Sequence, residues 1–326
     1  MLSLATRLSR LLAAVSAAAL VSGCGALADE GEGDGREVVA SFYPLAWVTE
    51  RVAGDDWKVT NLTTPGGEPH DLELGIGATA DVANADLVVY LAGFQPAVDE
   101  AVGTTAEGAT LNAADVVDLQ PVADHSEEGH GEEQSHADDD ESGHADEGDD
   151  DHSHGDEDPH FWLDPLQMAA LGDGVADQLA ELDPENADTY RENAEALAGD
   201  LARLDQGYTE ALADCQRDLV VVSHDAFGYL TRYGLHFEPI NGLSPDAEPT
   251  PATLAELADV IEDEGVTTVF SERLASPAMA ETLASDLDVA TGVLDPIEGL
   301  TDETADQDYL SLMQGNLRAL QGANGC

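Results

Sequence analysis

Four polar side chains in this sequence stand where a metal site could be built. His70 follows the strand-like segment WKVTNLT in the loop TPGGEPHD, and His160 lies in DPHFWLDP. His224 directly ends the apolar run LVVVS, and Asp295 ends VATGVL. Open α/β sheets bind ligands at the carboxyl ends of their strands, and three imidazoles with one carboxylate suit tetrahedral Zn²⁺. The sequence therefore predicts a zinc site built from these four residues.

Taken singly, each of these residues has an ordinary structural explanation. A histidine after a strand is often a surface or capping residue, His160 can pack beside its aromatic neighbours, and Asp295 can cap a helix. Two glutamates are further candidate ligands, or partners that orient a ligand. Glu272 ends the strand in FSE, and Glu68 precedes His70 in the same loop. The prediction of a zinc site therefore depends on the folded chain bringing these side chains into one place.

The sequence gives little support for an enzyme. Ser223, His224 and Asp225 are consecutive, and consecutive side chains do not converge into a Ser–His–Asp relay. The chain has no nucleophile elbow, Walker loop or dinucleotide fingerprint. A metallohydrolase would need an open coordination position and a general base, for which Glu68 or Glu272 would have to serve. We expect binding without a chemical step.

Short apolar runs alternate with helical patterns in both halves of the chain, which predicts parallel βα units. In the first half the predicted strands are EVVASFYPL, WKVTNLT, DLVVYLA and the weaker ADVVDL, with helices over 45–53 and 79–85. In the second half the strands are DLVVVSHD, VTTVFSE and DVATGVLDP, and the helices are AFGYLTRYG, PTPATLAELADVIEDEG, SPAMAETLASDL and DQDYLSLMQGNLRALQGA. The predicted fold class is α/β, with two lobes built on parallel-type sheets.

The clearest predicted helix begins at Asp183–Pro184, where an N-cap residue precedes a proline in the first turn. Its apolar positions are spaced by three and four residues and form one continuous face: Tyr190, Ala194, Leu197, Leu201, Leu204, Tyr208 and Leu212. About 30 residues at roughly 1.5 Å each give a rod of about 45 Å, which suits a rigid spine. The predicted division is an N-terminal lobe over 37–183, a linking helix over 184–214 and a C-terminal lobe over 215–326.

A polar segment interrupts the first lobe. Residues 122–158 hold 17 acidic side chains, six histidines and no Lys or Arg. Such a composition cannot bury enough apolar area to offset the entropy of ordering, so we expect disorder. Its histidines are either low-affinity collectors of metal ions or parts of a solvated spacer: His125, His130, His136, His144, His152 and His154.

The N-terminus is typical of a bacterial lipoprotein. Basic residues precede the apolar run LLAAVSAAALV, and VSGC matches a lipobox that ends at Cys24. Residues 1–23 are therefore a predicted signal peptide, and 24–36 are a flexible tether. Lipidated Cys24 would anchor the protein to the outer face of the cell membrane. The alternative is an ordinary signal peptide with a chance cysteine.

Two cysteines remain after Cys24. In an oxidising compartment, Cys215 and Cys326 indicate one disulfide between the start of the second lobe and the C-terminus. The alternative is a pair of zinc thiolates, although neither cysteine lies in a C-x-x-C spacing.

The chain carries 11 Lys and Arg against 68 Asp and Glu, for a formal net charge of −57. Nucleic acid is excluded as a partner, because a phosphate backbone needs a cationic surface. An acid-biased proteome accounts for most of this excess, so the local clusters have to carry the functional prediction.

In combination, several motifs resemble the cluster A-I solute-binding lipoproteins of bacterial ABC importers for zinc and manganese. The resemblance covers roughly 38–320 and rests on ASFYPLAWVTERVAGD, GGEPHDLEL, ADLVVYLAGFQP, DPHFWLDPLQMA, VVVSHDAFGYLTRYGL and FSERLASPAMAETLASDL. It implies two α/β lobes joined by a long rigid helix, with one metal ion in the cleft. The family's ligand positions fall on His70, His160, His224 and Asp295.

The resemblance is closest to the zinc-type members. They have histidine at the third ligand position, here His224, where manganese-type members have glutamate, and they often carry an acidic His-rich loop. It implies a monomer that captures Zn²⁺ and delivers it to an ABC permease, touching the membrane only through its lipid anchor. A manganese or iron importer component, a surface metal sink and an adhesin stay open as alternatives. The fourth ligand also stays open among Asp295, Glu272 and water.

Overall fold

The computed structural model describes residues 36–122, 157–245, 247 and 249–326. The predicted signal peptide, Cys24, nearly all of the tether and the six loop histidines lie outside the described residues. Within the part described, no helix is both long and apolar enough to cross a membrane. The predicted division into two lobes and a linking helix stays a prediction, and the described residues from Glu37 onwards belong to one compact unit.

The first sheet has four parallel strands in the order β2-β1-β3-β4. The strands are β1 Glu37–Ala40, β2 Lys58–Asn61, β3 Leu87–Tyr90 and β4 Ala109–Asn112, and the helices among them are α1 Tyr43–Ala53, α2 Ile76–Asn84 and α3 Pro96–Thr105. The central strands β1 and β3 are almost wholly buried, which explains their continuous apolar sequences. After β1 the chain forms β2 on one side of it and then crosses over to form β3 on the other side. Such a reversal of strand order opens a crevice at the carboxyl ends of β1 and β3.

Two short strands, β5 Gln120–Pro121 and β6 Glu157–Asp158, pair antiparallel on either side of the acidic segment. The prediction of disorder through residue 158 is therefore wrong at its end. Asp158 is only 5% exposed, and its backbone carbonyl accepts a hydrogen bond from the Tyr229 hydroxyl at 2.9 Å. The pairing places Pro121 opposite Glu157, so the two ends of the acidic segment are neighbours.

Two long helices follow, α4 Pro165–Leu182 and α5 Ala187–Leu212. The buried face of α5 consists of the same seven apolar residues that the spacing predicts. The predicted cap at Asp183 is wrong, because α5 begins at Ala187 and the Asp183 carboxylate instead accepts the Tyr190 hydroxyl at 2.7 Å. Helix α4 went unpredicted, although its buried residues Met168, Leu171, Val175 and Leu179 show a helical period.

The second sheet repeats the topology of the first in parallel strands ordered β10-β9-β7-β8. Its strands are β7 Leu219–Val222, β8 His236–Pro239, β9 Thr268–Ser271 and β10 Ala290–Val293, and the helices are α6 Pro251–Glu264, α7 Ala278–Asp286 and α8 Tyr309–Asn324. A second crevice thus opens beyond β7 and β9. The predicted α/β class with two parallel-type sheets is confirmed.

Two local predictions are wrong. The fourth strand of the first sheet is Ala109–Asn112 and not ADVVDL, because the Asn112 side chain accepts the Ala114 N–H and starts a 3₁₀ turn. The segment AFGYLTRYG forms a 3₁₀ helix over Gly228–Tyr233, and it leads to the unpredicted strand β8. Both segments are short, and tertiary contacts outweigh local pattern in such segments.

The predicted disulfide is present between Cys215 and Cys326, which are 111 residues apart in sequence. It joins the chain just beyond α5 to Cys326, two residues beyond the end of α8. The two helices also contact each other directly, because the buried Tyr208 hydroxyl donates to the Met313 carbonyl at 2.6 Å.

Replacing both Cys215 and Cys326 by serine is expected to lower the free energy of unfolding by about 2–5 kcal/mol, because the bond closes a long loop. Urea unfolding of the chain lacking residues 1–24, with and without the substitutions, measures the difference. Thiol labelling of the unfolded, unreduced chain is the companion test. Two labelled thiols would rule out the bond.

Candidate metal site

His70 is held in the loop that follows β2. Its backbone N–H donates to the Glu68 carboxylate at 3.1 Å, and its ring meets the edge of Phe94 with centroids 4.6 Å apart. The buried Gln95 amide donates to the Pro69 carbonyl at 3.2 Å, one residue before the histidine. The loop thus points a partly buried imidazole across the carboxyl ends of the first sheet.

His160 is fully buried just beyond β6. Its Nδ1 lies 2.7 Å from the Asp158 carboxylate, which also accepts the His160 backbone N–H at 2.9 Å. Close packing leaves no room beside this carboxylate, since a Cβ on Gly228 would lie 2.7 Å from Asp158 Oδ2. Asp158 therefore fixes the ring so that Nε2 faces inward.

His224 lies two residues beyond β7, and Glu272 lies one residue beyond the neighbouring strand β9. The Nδ1 atom of His224 is 2.6 Å from Glu272 Oε1, and the Ser223 hydroxyl donates to the same oxygen. His224 is fully buried, and Glu272 is nearly so. A carboxylate on Nδ1 sets the tautomer and leaves Nε2 free to bind a metal ion.

The three imidazoles converge on Glu298, which is only 1% exposed. Glu298 Oε1 lies 3.3 Å from Nε2 of His70 and 3.6 Å from Nε2 of both His160 and His224. One ligand atom from each of the four residues lies within 4.8 Å of every other. A tetrahedral zinc site with bonds of about 2.0–2.1 Å has ligand atoms about 3.3 Å apart. The spacing of the four ligand atoms therefore fits a small cation with tetrahedral coordination.

Three buried polar atoms in this group lack a hydrogen-bond partner among the residues that the structure describes. They are Nε2 of His160, Nε2 of His224 and Oε2 of Glu298. Buried polar atoms without a partner are costly and call for an explanation. All three belong to the converging side chains, and a bound cation would satisfy them.

The structure groups three of the four sequence-predicted ligands, and Asp295 lies outside the converging group. The Asp295 carboxylate instead accepts hydrogen bonds from the Ile297 N–H at 2.8 Å and from Arg273 Nε at 3.0 Å. Glu298, three residues further along, occupies the fourth corner. Glu272 is a partner of His224 and not a member of the converging group. Glu68 accepts the His70 backbone N–H and likewise lies outside the converging group.

The sequence reasoning missed Glu298 because it looked for a carboxylate at the end of the strand. The chain turns sharply after β10, with Pro296 followed by Ile297 at φ +60°. That turn aims residue 298 at the histidines. The available signal was a second carboxylate close behind Asp295 in LDPIEGL.

Residues 38–323 match the family model for the periplasmic component A of zinc-uptake complexes, ZnuA. The chain belongs to the ZnuA family. The zinc-binding lipoprotein AdcA of Streptococcus pneumoniae is 36% identical over 324 residues, covering 97% of this chain and 60% of that protein. This ZnuA-family chain therefore spans less than two thirds of that relative's length.

Two further comparisons cover their counterparts more fully. The high-affinity zinc uptake system protein ZnuA of Bacillus subtilis is 33% identical over 319 residues and 93% of both chains. The Zn(II)-bound ZnuA-like domain of S. pneumoniae AdcA has 32% identity and a TM-score of 0.70 over 90% of this chain and all of that domain. The resemblance to zinc-type solute-binding proteins is confirmed at the level of the family.

The charge balance at the ZnuA-family site favours a divalent cation. Burial lowers the pKa of His224, but the adjacent carboxylates of Glu272 and Glu298 outweigh it and raise that pKa to about 10. Burial raises the pKa of Glu298, yet the three neighbouring imidazoles outweigh it and bring that pKa well below its usual range. Without metal, the carboxylates thus favour the protonated forms of the two buried imidazoles, His160 and His224, and a bound metal ion would displace those protons.

Replacing Glu272 by glutamine is expected to weaken zinc binding by about 10–100-fold, as is typical when the partner of a ligating histidine is lost. The change removes the negative charge beside His224 and leaves the shape of the side chain intact. Competition titration against a zinc chelator measures it. Glu256→Gln, at an exposed position on α6, is the matched control, and equal affinities for the two variants would contradict the role assigned to Glu272.

Proposed function

We propose that this chain captures Zn²⁺ outside the cytoplasm and delivers it to an ABC-type permease. The proposed ligands are His70, His160, His224 and Glu298. The convergence of three Nε2 atoms on Glu298 Oε1 at 3.3–3.6 Å carries the proposal. The names of the relatives support zinc uptake as the purpose of such a site.

Ligand chemistry supports zinc over manganese or iron. Imidazole nitrogen suits Zn²⁺, while Mn²⁺ prefers carboxylate, carbonyl and water oxygens. His224 supplies the third nitrogen, and both buried histidines have a carboxylate on Nδ1 that strengthens them as ligands. A ligand set of three nitrogens and one carboxylate oxygen therefore favours Zn²⁺ over Mn²⁺. It does so without an excess of buried negative charge.

Four protein ligands also favour capture over catalysis. Catalytic zinc sites keep one coordination position open for water or substrate. Here Glu298 stands at the corner where a metallohydrolase would hold water, so the proposed cycle consists of binding, docking on the permease and release. Loss of growth in zinc-limited medium after deletion of the gene would distinguish uptake from a passive metal sink or a purely adhesive role.

We further propose that lipidated Cys24 holds the protein at the outer face of the membrane as a monomer. The matching relative from S. pneumoniae is named a lipoprotein, and VSGC at residues 21–24 supports the same processing. The flexible acidic tether after Cys24 would keep the zinc-loaded protein within reach of the permease.

Replacing residues 123–156 by Asn-Gly is expected to leave one tight zinc site and to remove weaker binding. The replacement is feasible because β5 and β6 already place Pro121 and Glu157 opposite each other, and a short Gly-containing loop closes such a hairpin. Asp158 has to be kept, since it orients His160. Calorimetric titration counts the sites, with the same replacement in a His224→Ala chain as control. Loss of the tight site in the loop variant would overturn the site assignment.

A further inference from the structure

The carboxylate at the fourth corner stands on a turn with an unusual backbone. The turn runs over 295–300, between β10 and the segment that leads to α8. Ile297 has φ +60° and is fully buried, although a β-branched residue rarely adopts this left-handed conformation. A backbone of this kind persists only where its surroundings hold it. Glu298 directly follows, so whatever holds Ile297 also aims the Glu298 side chain.

Asp295 makes the contacts that connect this turn to Arg273, beyond β9, and to Asn316 on α8. Its Oδ1 accepts the Ile297 N–H at 2.8 Å, and its Oδ2 accepts Arg273 Nε at 3.0 Å. The Asn316 side chain on α8 binds the Asp295 backbone twice, accepting its N–H at 2.9 Å and donating to its carbonyl at 2.6 Å. Both carboxylate oxygens and both backbone groups of Asp295 are therefore occupied.

The same turn is held from the other side by the loops that carry two histidines. Trp162, two residues after His160, donates from Nε1 to the Pro296 carbonyl at 2.7 Å. The Gly66 N–H, four residues before His70, donates to the Leu300 carbonyl at 2.6 Å. The turn is thus fixed at both ends, and Glu298 lies between the two anchors.

We infer that Asp295 is a positioning residue that locks the left-handed turn at Ile297 and thereby holds the Glu298 carboxylate among the three imidazoles. The inference rests on the proposed function, in which Glu298 is a ligand of Zn²⁺. Direct ligation by Asp295 would have to compete with its hydrogen bonds from the Ile297 N–H and from Arg273. Asp295 therefore acts on the metal ion through Glu298.

The test is a double-mutant cycle on the chain lacking residues 1–24, with Zn²⁺ affinity from chelator competition and Co²⁺ visible absorption as the two measurements. Asp295→Ala is expected to weaken zinc binding by about 10–100-fold, the usual effect of losing a group that orients a ligand. It is also expected to change the Co²⁺ spectrum in the same direction as Glu298→Gln. Asp295→Asn keeps an oxygen for the Ile297 N–H and is expected to recover most of the affinity. Asp286→Ala, at an exposed position on α7, is the matched control.

Coupling separates positioning from a general structural effect. In a Glu298→Gln chain, Asp295→Ala is expected to cause little further loss, because neighbours that act through one group are not additive. Full additivity, a wild-type Co²⁺ spectrum for Asp295→Ala, or equal losses for the Asn and Ala variants would each overturn the inference while leaving zinc capture intact. If Glu298→Gln alone binds zinc as tightly as the wild type, the proposed ligand set fails as well.

Discussion

Replacing His224 by alanine is expected to weaken zinc binding by more than about 100-fold. Losing a group that only orients a ligand costs about 10–100-fold in metal affinity, and His224 is proposed to bind the metal ion itself. The change would also leave the buried Glu272 and Glu298 without the ring that both now contact. Chelator competition on the purified chain measures the loss.

Two histidine controls belong with this experiment. His144 is in the acidic segment, outside the described residues, and His236 is exposed on β8. Alanine at either position is expected to leave the tight affinity unchanged. Equal losses for His224→Ala and His144→Ala would mean that the acidic segment, and not the converging group, provides the tight site.

Zinc is expected to stabilise the folded chain by about 4 kcal/mol when its free concentration is a thousand times the dissociation constant. The converging atoms come from loops far apart in sequence, at His70, His160, His224 and Glu298, so the unfolded chain offers no comparable site. Urea unfolding at a series of zinc concentrations measures the stabilisation.

The control for this second experiment is the His224→Ala chain, which should gain much less stability at the same zinc concentrations. Ca²⁺ should have little effect on the wild type, because it prefers six to eight oxygen ligands. A gain that is equal for both chains would indicate binding elsewhere on the acidic surface.

The three histidines could be predicted because their signal is local. His224 closely follows an apolar strand, His70 lies in the loop after β2, and His160 precedes a run of large apolar residues, Phe161 to Leu163, that is fully buried. Parallel strands bring their carboxyl ends to one edge, so strand prediction was enough to place His70 and His224 at such edges. The helical face of α5 was predictable for the same reason, since its period is visible in sequence.

The fourth corner could not be predicted in this way. Whether Asp295 or Glu298 faces the histidines depends on the left-handed backbone at Ile297, and an isoleucine gives no sign of such a conformation. The turn exists because the Asp295 side chain holds it from within, and because Asn316 and Trp162 hold it from two other segments. A tertiary cause of this kind leaves no local trace.

Asp158 illustrates the limit of composition. It ends a long acidic segment, and composition predicts disorder for the whole segment. Its burial depends on Gly228, which leaves space for its carboxylate, and on Tyr229, which binds its carbonyl. Both lie about 70 residues away in sequence, so the boundary between spacer and site was misplaced by two residues.

The most direct test of the central claim is a crystal structure of the zinc complex with anomalous data at the zinc edge. We expect one tight ion bound by Nε2 of His70, His160 and His224 at about 2.0–2.1 Å and by a Glu298 oxygen at about 2.0–2.2 Å. Asp295 should still accept the Ile297 N–H. A zinc ion bound by Asp295, or one with water in place of Glu298, would contradict the site described above.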